Sequence, residues 1–287
     1  MIRTTIPEGR SKRVSTKSAT VVEDFYMVEA ADGTMTDEIE EILSRLESAA
    51  APAIKTLVDR SAWPIPPETR EAVAAWAAMQ YLRTPAARQG NNEVADVSLK
   101  LEIAAKGRGG MREALEAVEG RAVSEAEVDE AWQLMTDFDD YALEPHQNDH
   151  ISMMGRLFRG TAWQFYGRSW NLIHFERKAL VTTDTPVVLM KPFGQDPQLP
   201  IGMATAGGAL VALDRRVGLI MTNEQLGDAQ IPGSTTLANS LNQRLVWEAR
   251  SHIFHHPDDN PLQGLSLPFR REREVEFTDP RQALPGE

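Results

Sequence analysis

The side chain most suited to acid–base or metal chemistry is Asp184, which follows a hydrophobic segment and precedes Thr185 and Pro186. A carboxylate at the end of a strand has a rigid support and can act as a base or direct a metal ion. An aspartate at such a turn can also accept hydrogen bonds from backbone N–H groups two residues further on and fix the kink. Both interpretations of Asp184 stay open at this stage.

Two polar residues, Gln80 and Arg83, continue the apolar stripe of a predicted helix over residues 67–84. Polar groups on a face expected to be buried need partners, because unpaired burial is costly. One interpretation pairs Arg83 with Glu47 of the preceding helix. In the other, Arg83 binds a ligand, since a guanidinium matches the geometry of a phosphate or carboxylate.

These residues define a predicted site between the helices and the sheet. Asp184 and Arg83 are its candidate catalytic residues, as base or metal-directing carboxylate and as anion clamp. Gln80, Asn242 and Glu47 are its candidate substrate-binding residues. No cofactor motif accompanies them, and the cofactor stays unknown.

Other chemistry-bearing patterns favour structural interpretations. Glu176-Arg177-Lys178 contains a Glu-x-Lys pair, but a hairpin turn at Arg177-Lys178 places Glu176 several strand steps from Asp184, at about 3.3 Å per residue. His146 and His150 have the i, i+4 spacing of zinc ligands, although Gln147 stands where metalloproteases carry glutamate. We therefore predict no metal site at these residues.

A second group of histidines comprises His252, His255 and His256. These are expected either to complement the dipole at the end of the last helix or to lie in a flexible tail. The glycine-rich segment 107–110 follows a predicted helix and lacks the spacing of a phosphate-binding loop. It predicts a turn between two helices or a mobile loop.

The elements that must position these residues change type along the chain. Apolar residues at helical spacing dominate the first half, and strand-like segments follow Gly167. Helices are predicted over 36–60, 67–84, 91–106, 110–119, 124–137, 146–166 and 235–253, and Ser124 with Glu127 is a predicted capping box for the helix over 124–137. One hairpin is predicted from 169–176 and 179–183, with a continuation at 187–190, and a second from 208–213 and 217–222.

This pattern predicts an α+β fold in which a helical N-terminal half packs against a small, mainly antiparallel sheet from the C-terminal half. We expect a single compact domain over residues 1–287. Its parts are a polar arm over 1–20, with 18–28 as a short strand or ordered arm, a helical part over 36–166, strands and a final helix over 167–256, and an extended tail over 257–287.

Composition excludes several classes of function. The chain has 287 residues and no cysteine, which rules out disulfide scaffolds, thiolate nucleophiles and cysteine-based zinc sites. A formal net charge of -12 makes nonspecific nucleic-acid binding unfavourable. No apolar stretch approaches the roughly 20 residues that span a bilayer, so we expect no membrane partner and a cytoplasmic location.

Several segments resemble those of the bacterial domain of unknown function 4238 family. Thr182-Thr183-Asp184-Thr185-Pro186 is similar to the family's Thr-Ser-Asp-Asn-Pro segment, with threonine in place of serine and of asparagine. Further segments agree in order over about residues 18–255, among them Asp24-Phe25-Tyr26, 39–47, 80–85, Trp170, Pro200 with Gly202, and 242–249. The family's usual His-x-x-Pro segment has no equivalent upstream of Ile6. The resemblance implies positions and no chemistry.

Two hypotheses of function remain from the residues. The first is a hydrolase or nuclease-like enzyme whose polar site lies between the helices and the sheet. The second is a noncatalytic ligand-binding or regulatory interaction protein, in which the same residues form a polar core network. The identity of a small-molecule or protein partner is open in both.

Overall fold

The computed structural model describes residues 1–16, 28–29, 35–36, 38–60, 62–142, 147–195, 201–224 and 226–268. The predicted α+β class is confirmed, with helices mostly in the first half of the chain and strands mostly in the second. The helices are α1 Glu38–Val58, α2 Pro67–Leu82, α3 Pro85–Glu119, α4 Glu125–Thr136, α5 Gln147–Tyr166 and α6 Thr235–Glu248. The strands are β1 Ile2–Thr5, β2 Ser11–Arg13, β3 Val28–Glu29, β4 Met35–Thr36, β5 Ser169–Phe175, β6 Thr182–Thr183, β7 Val187–Met190, β8 Gly208–Asp214, β9 Val217–Thr222, β10 Ala229–Gly233 and β11 His252–His255.

Contacts divide the chain into two compact units. The first comprises Met1–Ala87 and Ile151–Arg271, and the second comprises Arg88–His150 together with residues 272–287. Residues 272–287 lie outside the described part of the chain, as do residues 18–27 of the short strand or arm predicted over 18–28, which include Asp24-Phe25-Tyr26. None of the helices in the described ranges is long and apolar enough to cross a membrane.

The main core of the first unit lies between helices and a five-stranded sheet. It contains Leu57 of α1, Val73 of α2, Phe165 of α5 and, from the sheet, Trp170 and Leu219, each at most 1% exposed. Alanines on the buried face of α2 let the helix approach its neighbours closely, and Ala77 and Ala78 are fully buried. As predicted, α2 begins with Pro67 in its first turn and ends before Pro85.

The five-stranded sheet has the order β10-β5-β9-β8-β7, and only its β10–β5 pair is parallel among the described strands. The predicted hairpin of β8 and β9 is confirmed, with Gly208 opposite Thr222. Its turn is local: the Asp214 carboxylate accepts the N–H of Arg216 at 3.0 Å. Such a turn can be predicted because its partners are two residues apart.

The predicted hairpin of 169–176 with 179–183 is wrong, because β5 and β6 belong to different sheets. β6 is the edge of a four-stranded sheet with the order β2-β1-β11-β6. Between the two strands, Leu180 donates its backbone N–H to the Arg215 carbonyl at 2.8 Å, and Val181 donates to Asn242. The segment therefore passes the β8–β9 turn and packs against α6 instead of folding back on β5.

The four-stranded sheet also corrects the two ends of the prediction. Residues 2–5 and 11–13 form strands within the predicted polar arm, and β1 pairs with β11. The predicted helix over 235–253 ends at Glu248, since Ala249 is extended (φ -67°, ψ 138°). His252 and His255 consequently lie in β11 and not at a helix end.

In the second unit, the predicted break at 107–110 is a kink at Gly107, with φ 63° and ψ -169°, inside α3. The predicted capping box of α4 is confirmed: Ser124 Oγ accepts the N–H of Glu127, whose carboxylate accepts the N–H of Ser124 at 2.7 Å. Lys100 is 6% exposed, pairs with Asp96 at 2.9 Å and donates to two backbone carbonyls.

Candidate functional site

The carboxylate of Asp184 accepts three backbone hydrogen bonds from the connection between α6 and β11. Oδ1 accepts the N–H of Arg250 at 2.9 Å, and Oδ2 accepts those of Ser251 at 2.6 Å and His252 at 3.0 Å. The Asp184 N–H in turn donates to the His252 carbonyl at 3.1 Å. The partners of Asp184 are therefore distant in sequence, in contrast to the predicted turn contact two residues on.

The local turn at this point belongs to Thr183. Its hydroxyl donates to the Thr185 carbonyl at 2.9 Å and lies 3.1 Å from the Thr185 N–H, from which it can accept. The turn is followed by Pro186 and by β7, so the chain leaves the four-stranded sheet here and enters the five-stranded one. Asp184 and Thr183 together fix this crossover.

Asn242 is fully buried and binds only backbone in the described contacts. Its Oδ1 accepts the N–H of Val181 at 3.0 Å, and its Nδ2 donates to the carbonyl of Ala179 at 2.8 Å. The amide thus reproduces the pairing of a neighbouring strand for segment 179–181, which has none in the sheet. Such an arrangement satisfies buried backbone groups.

Arg83 caps the C-terminal end of α2 and pairs with Glu47 of α1, at 2.6 Å between Nη1 and Oε1. The pairing of Arg83 with Glu47 that one of the two interpretations predicted is therefore present. Gln80, one turn earlier, is 8% exposed. Arg83 and Glu47 therefore bridge α1 and α2, whereas Asp184 and Asn242 lie at the strand crossover.

Of the two histidines with the spacing of zinc ligands, the structure describes only one. His146 lies outside the described residues, and His150 is buried. Within the ranges that the structure describes, no three His, Asp or Glu side chains are grouped as metal ligands would be.

A pocket of about 360 Å³ lies in the first unit, away from all five predicted site residues. We name it the Arg168 pocket. Its lining residues are Trp163, Gln164, Gly167, Arg168, Met203, Ala204 and Asn223. No carboxylate is among these lining residues in the described part of the chain.

Arg168 is 5% exposed, and its guanidinium is incompletely paired. Nη2 donates to the carbonyl of Met203 at 3.1 Å and to that of Ala206 at 3.4 Å. Nε and Nη1 are buried and have no hydrogen-bond partner among the described residues. Burial lowers the pKa of Arg168 below its ordinary value, yet an arginine stays protonated in proteins. Arg168, one of the lining residues, thus carries a buried positive charge that none of the described carboxylates neutralises.

The backbone around Arg168 is held from outside the pocket. Arg70 Nη1 donates to the carbonyls of Tyr166 at 2.9 Å and Arg168 at 3.0 Å, and Arg70 also pairs with Asp228. The other oxygen of Asp228 accepts the N–H of Trp170 at 2.9 Å. This fixes the junction where α5 ends and β5 begins, and with it the position of the Arg168 side chain.

Two further lining residues differ in how they are supported. Asn223 donates its Nδ2 to the carbonyl of Ala206 at 2.7 Å, which fastens the 202–206 turn to the end of β9. Trp163 is 72% exposed, and its ring stacks on Tyr166 with centroids 5.5 Å apart and planes inclined by 8°. The pocket therefore combines a buried cation, amide groups and an exposed aromatic surface.

Reasoning from the sequence missed this pocket. Arg168 stands at a junction between a predicted helix and a predicted strand, where an arginine is usually solvated. The signal that could have found it is its position between Phe165 and Trp170, two aromatic residues that had to be buried on either side.

A family model described as Protein of unknown function (DUF4238) matches residues 3–259. The chain belongs to the DUF4238 family. The DUF4238 match extends from β1 through β11, and it includes both the Arg168 pocket and the five residues predicted from the sequence. Comparison with curated proteins and with solved structures gave no match.

Proposed function

We propose that this protein is a noncatalytic binding protein for a small anionic molecule, which occupies the Arg168 pocket. The observation that carries the proposal is the buried guanidinium of Arg168, whose Nε and Nη1 have no partner among the described residues. A volume of about 360 Å³ is within the range of small-molecule sites.

The energetic argument concerns the cost of an uncompensated charge. Burying an ion costs several kcal/mol unless an opposite charge and hydrogen bonds offset that cost. Two carbonyl contacts of Arg168 supply part of the compensation. A carboxylate or phosphate bound in the pocket supplies the rest, and the fixed guanidinium loses little conformational entropy on binding.

The hydrolase or nuclease-like hypothesis has weaker support. Asp184 as base and Arg83 as anion clamp would need polar atoms available to a substrate. The Asp184 carboxylate instead accepts three backbone N–H groups, and Arg83 pairs with Glu47. These contacts, with those of Asn242, favour the alternative in which the predicted residues have structural roles.

The test measures stabilisation by anions at constant ionic strength. Sodium acetate and sodium phosphate should each raise the thermal midpoint of the protein relative to sodium chloride, because a ligand that binds only the folded state stabilises it. Gln164→Glu places a carboxylate at the exposed lining and should weaken binding at least about tenfold in calorimetry.

Gln263→Glu is the matched control, since Gln263 is also exposed in the first unit and does not line the pocket. It should bind anions as the unmodified protein does. Arg168→Met should abolish binding if the variant folds. Stabilisation that is identical in the two glutamate variants would contradict the proposal, as would the absence of binding by both anions.

A further inference from the structure

We infer that the ligand of the Arg168 pocket is a planar aromatic molecule that carries an anionic group, stacked on Trp163 and paired with Arg168. The inference rests on the proposed function and extends it to the class of ligand. Its basis is the position of Trp163, which lines the same pocket as Arg168 although it is largely exposed.

An indole that is 72% exposed leaves a large apolar surface in contact with water. Tyr166 covers one face of the Trp163 ring by parallel stacking, at 5.5 Å between centroids. Trp163 is one of the residues that line the pocket. A flat aromatic ring is the ligand that gains most from such a surface, because offset stacking adds to the burial of apolar area.

Arg70, which holds the backbone around Arg168, also contacts the aromatic ring on which Trp163 stacks. The Arg70 guanidinium lies 5.8 Å from the centroid of the Tyr166 ring and 4.5 Å from that of Trp170, and Arg70 pairs with Asp228. Arg70 thereby contacts the Tyr166 ring, and Trp163 stacks on that ring. A preorganised aromatic surface binds without a large cost in side-chain ordering.

Chain geometry places the two binding elements at a fixed spacing. Trp163 and Arg168 stand at the end of α5, where Gly167 donates its N–H to the Trp163 carbonyl at 3.0 Å and Arg168 donates to that of Phe165 at 3.4 Å. Gln164 and Asn223, which carry amide groups, also line the pocket. A ligand with its ring at the rim and its anionic group inward satisfies both elements.

Four probes separate the parts of this inference by calorimetry. Benzoate and phenyl phosphate carry a planar ring on a carboxylate or a phosphate, cyclohexanecarboxylate has the same charge without a planar ring, and acetate has the charge alone. We expect benzoate to bind about tenfold more tightly than cyclohexanecarboxylate. Comparison of benzoate with phenyl phosphate shows which anionic group the pocket prefers.

Trp163→Leu should remove the preference for benzoate and leave cyclohexanecarboxylate binding within about twofold of the unmodified protein. Trp163→Phe should restore most of the preference. Trp247→Leu is the matched control, because Trp247 is an exposed tryptophan of α6 outside the pocket lining, and it should change nothing.

The outcomes distinguish the two proposals. Equal affinities for benzoate and cyclohexanecarboxylate, unchanged by Trp163→Leu, would overturn the aromatic class and leave anion binding intact. Failure of all four probes to bind would contradict anion binding itself. Benzoate binding that Gln164→Glu does not weaken would place the ligand outside the Arg168 pocket and overturn the inference.

Discussion

At the scale of single residues, Asp184 and Arg168 show two states of a charged group inside a folded chain. Asp184 accepts three backbone N–H groups, so its charge is compensated within the protein. Arg168 has two carbonyl contacts and two nitrogens without a partner among the described residues. Compensation within the fold indicates a structural role, whereas an unmet charge beside a cavity indicates a ligand.

Asp184→Asn should lower the free energy of unfolding by about 1–3 kcal/mol, because a neutral amide replaces a carboxylate that accepts charge-assisted hydrogen bonds. Urea unfolding followed by circular dichroism measures the change. Asp258→Asn is the control, since the Asp258 side chain is 80% exposed, and it should change stability by less than about 0.5 kcal/mol. An unchanged unfolding midpoint for Asp184→Asn would show that these hydrogen bonds contribute little.

The sequence indicated that Arg83 and Asp184 need polar partners more readily than it indicated which partners they have. Glu47 could be proposed for Arg83 because both lie on adjacent helices with readable apolar stripes. The N–H groups of residues 250–252 could not be proposed for Asp184, because helical spacing continued across them. The position of Arg168 between Phe165 and Trp170 indicates burial, but its missing partner could not be predicted, since that is a property of three-dimensional packing and not of spacing.

At the scale of elements, local chemistry decided which predictions held. The capping box of α4 and the β8–β9 hairpin depend on residues within a few positions of one another, and both are confirmed. The hairpin predicted for β5 and β6 failed because Asn242, about 60 residues later, holds segment 179–181 against α6. Pairing between distant segments competes with the nearest turn, and spacing alone does not show which wins.

Two glycine substitutions test elements in opposite directions. Gly155 lies inside α5 with open space where the Cβ of an alanine would lie, so Gly155→Ala should stabilise the protein by about 0.5–1 kcal/mol. Gly233 ends β10 against the Phe175 ring, and a Cβ there would also lie 2.9 Å from the His174 carbonyl. Gly233→Ala should therefore destabilise by about 1–3 kcal/mol.

Thermal unfolding of the two alanine variants in parallel provides the comparison, with each serving as the control for the other. A shift of both midpoints in the same direction would contradict the assignment of a crowded strand end and an open helix face.

At the scale of the whole molecule, β1 pairs with β11, a strand near the C-terminal end of the segment that matches the family. β1 lies between β2 and β11, with Ile2 opposite His255 and Thr4 opposite Ile253. Ile6, which follows β1, is 5% exposed and belongs to a hydrophobic cluster that includes Leu245 of α6 and Ile253 of β11. Within the predicted polar arm, β1 and β2 therefore belong to this sheet and Ile6 belongs to the core.

Removal of residues 1–13 should reduce the free energy of unfolding by more than about 2 kcal/mol, the order of magnitude for burial of one isoleucine alone. It should also leave β11 as an unpaired edge and promote self-association, which size-exclusion chromatography with light scattering detects. Addition of a synthetic peptide of residues 1–13 should restore both properties. A truncated protein with unchanged stability and unchanged mass would contradict the role of β1.

The pairing of β1 with β11 also implies a delay during synthesis, because β1 is made long before its partner strand. About 250 residues separate the two strands, and synthesis at about 5–20 residues per second takes on the order of 10 to 50 seconds to supply the partner. During that interval β1 and β2 have been synthesised but β11 has not. Positively charged side chains protect these strands during the delay, because they keep an unpaired strand edge hydrated and hinder its association with other nascent chains. In β1 and β2 they are Arg3, Lys12 and Arg13.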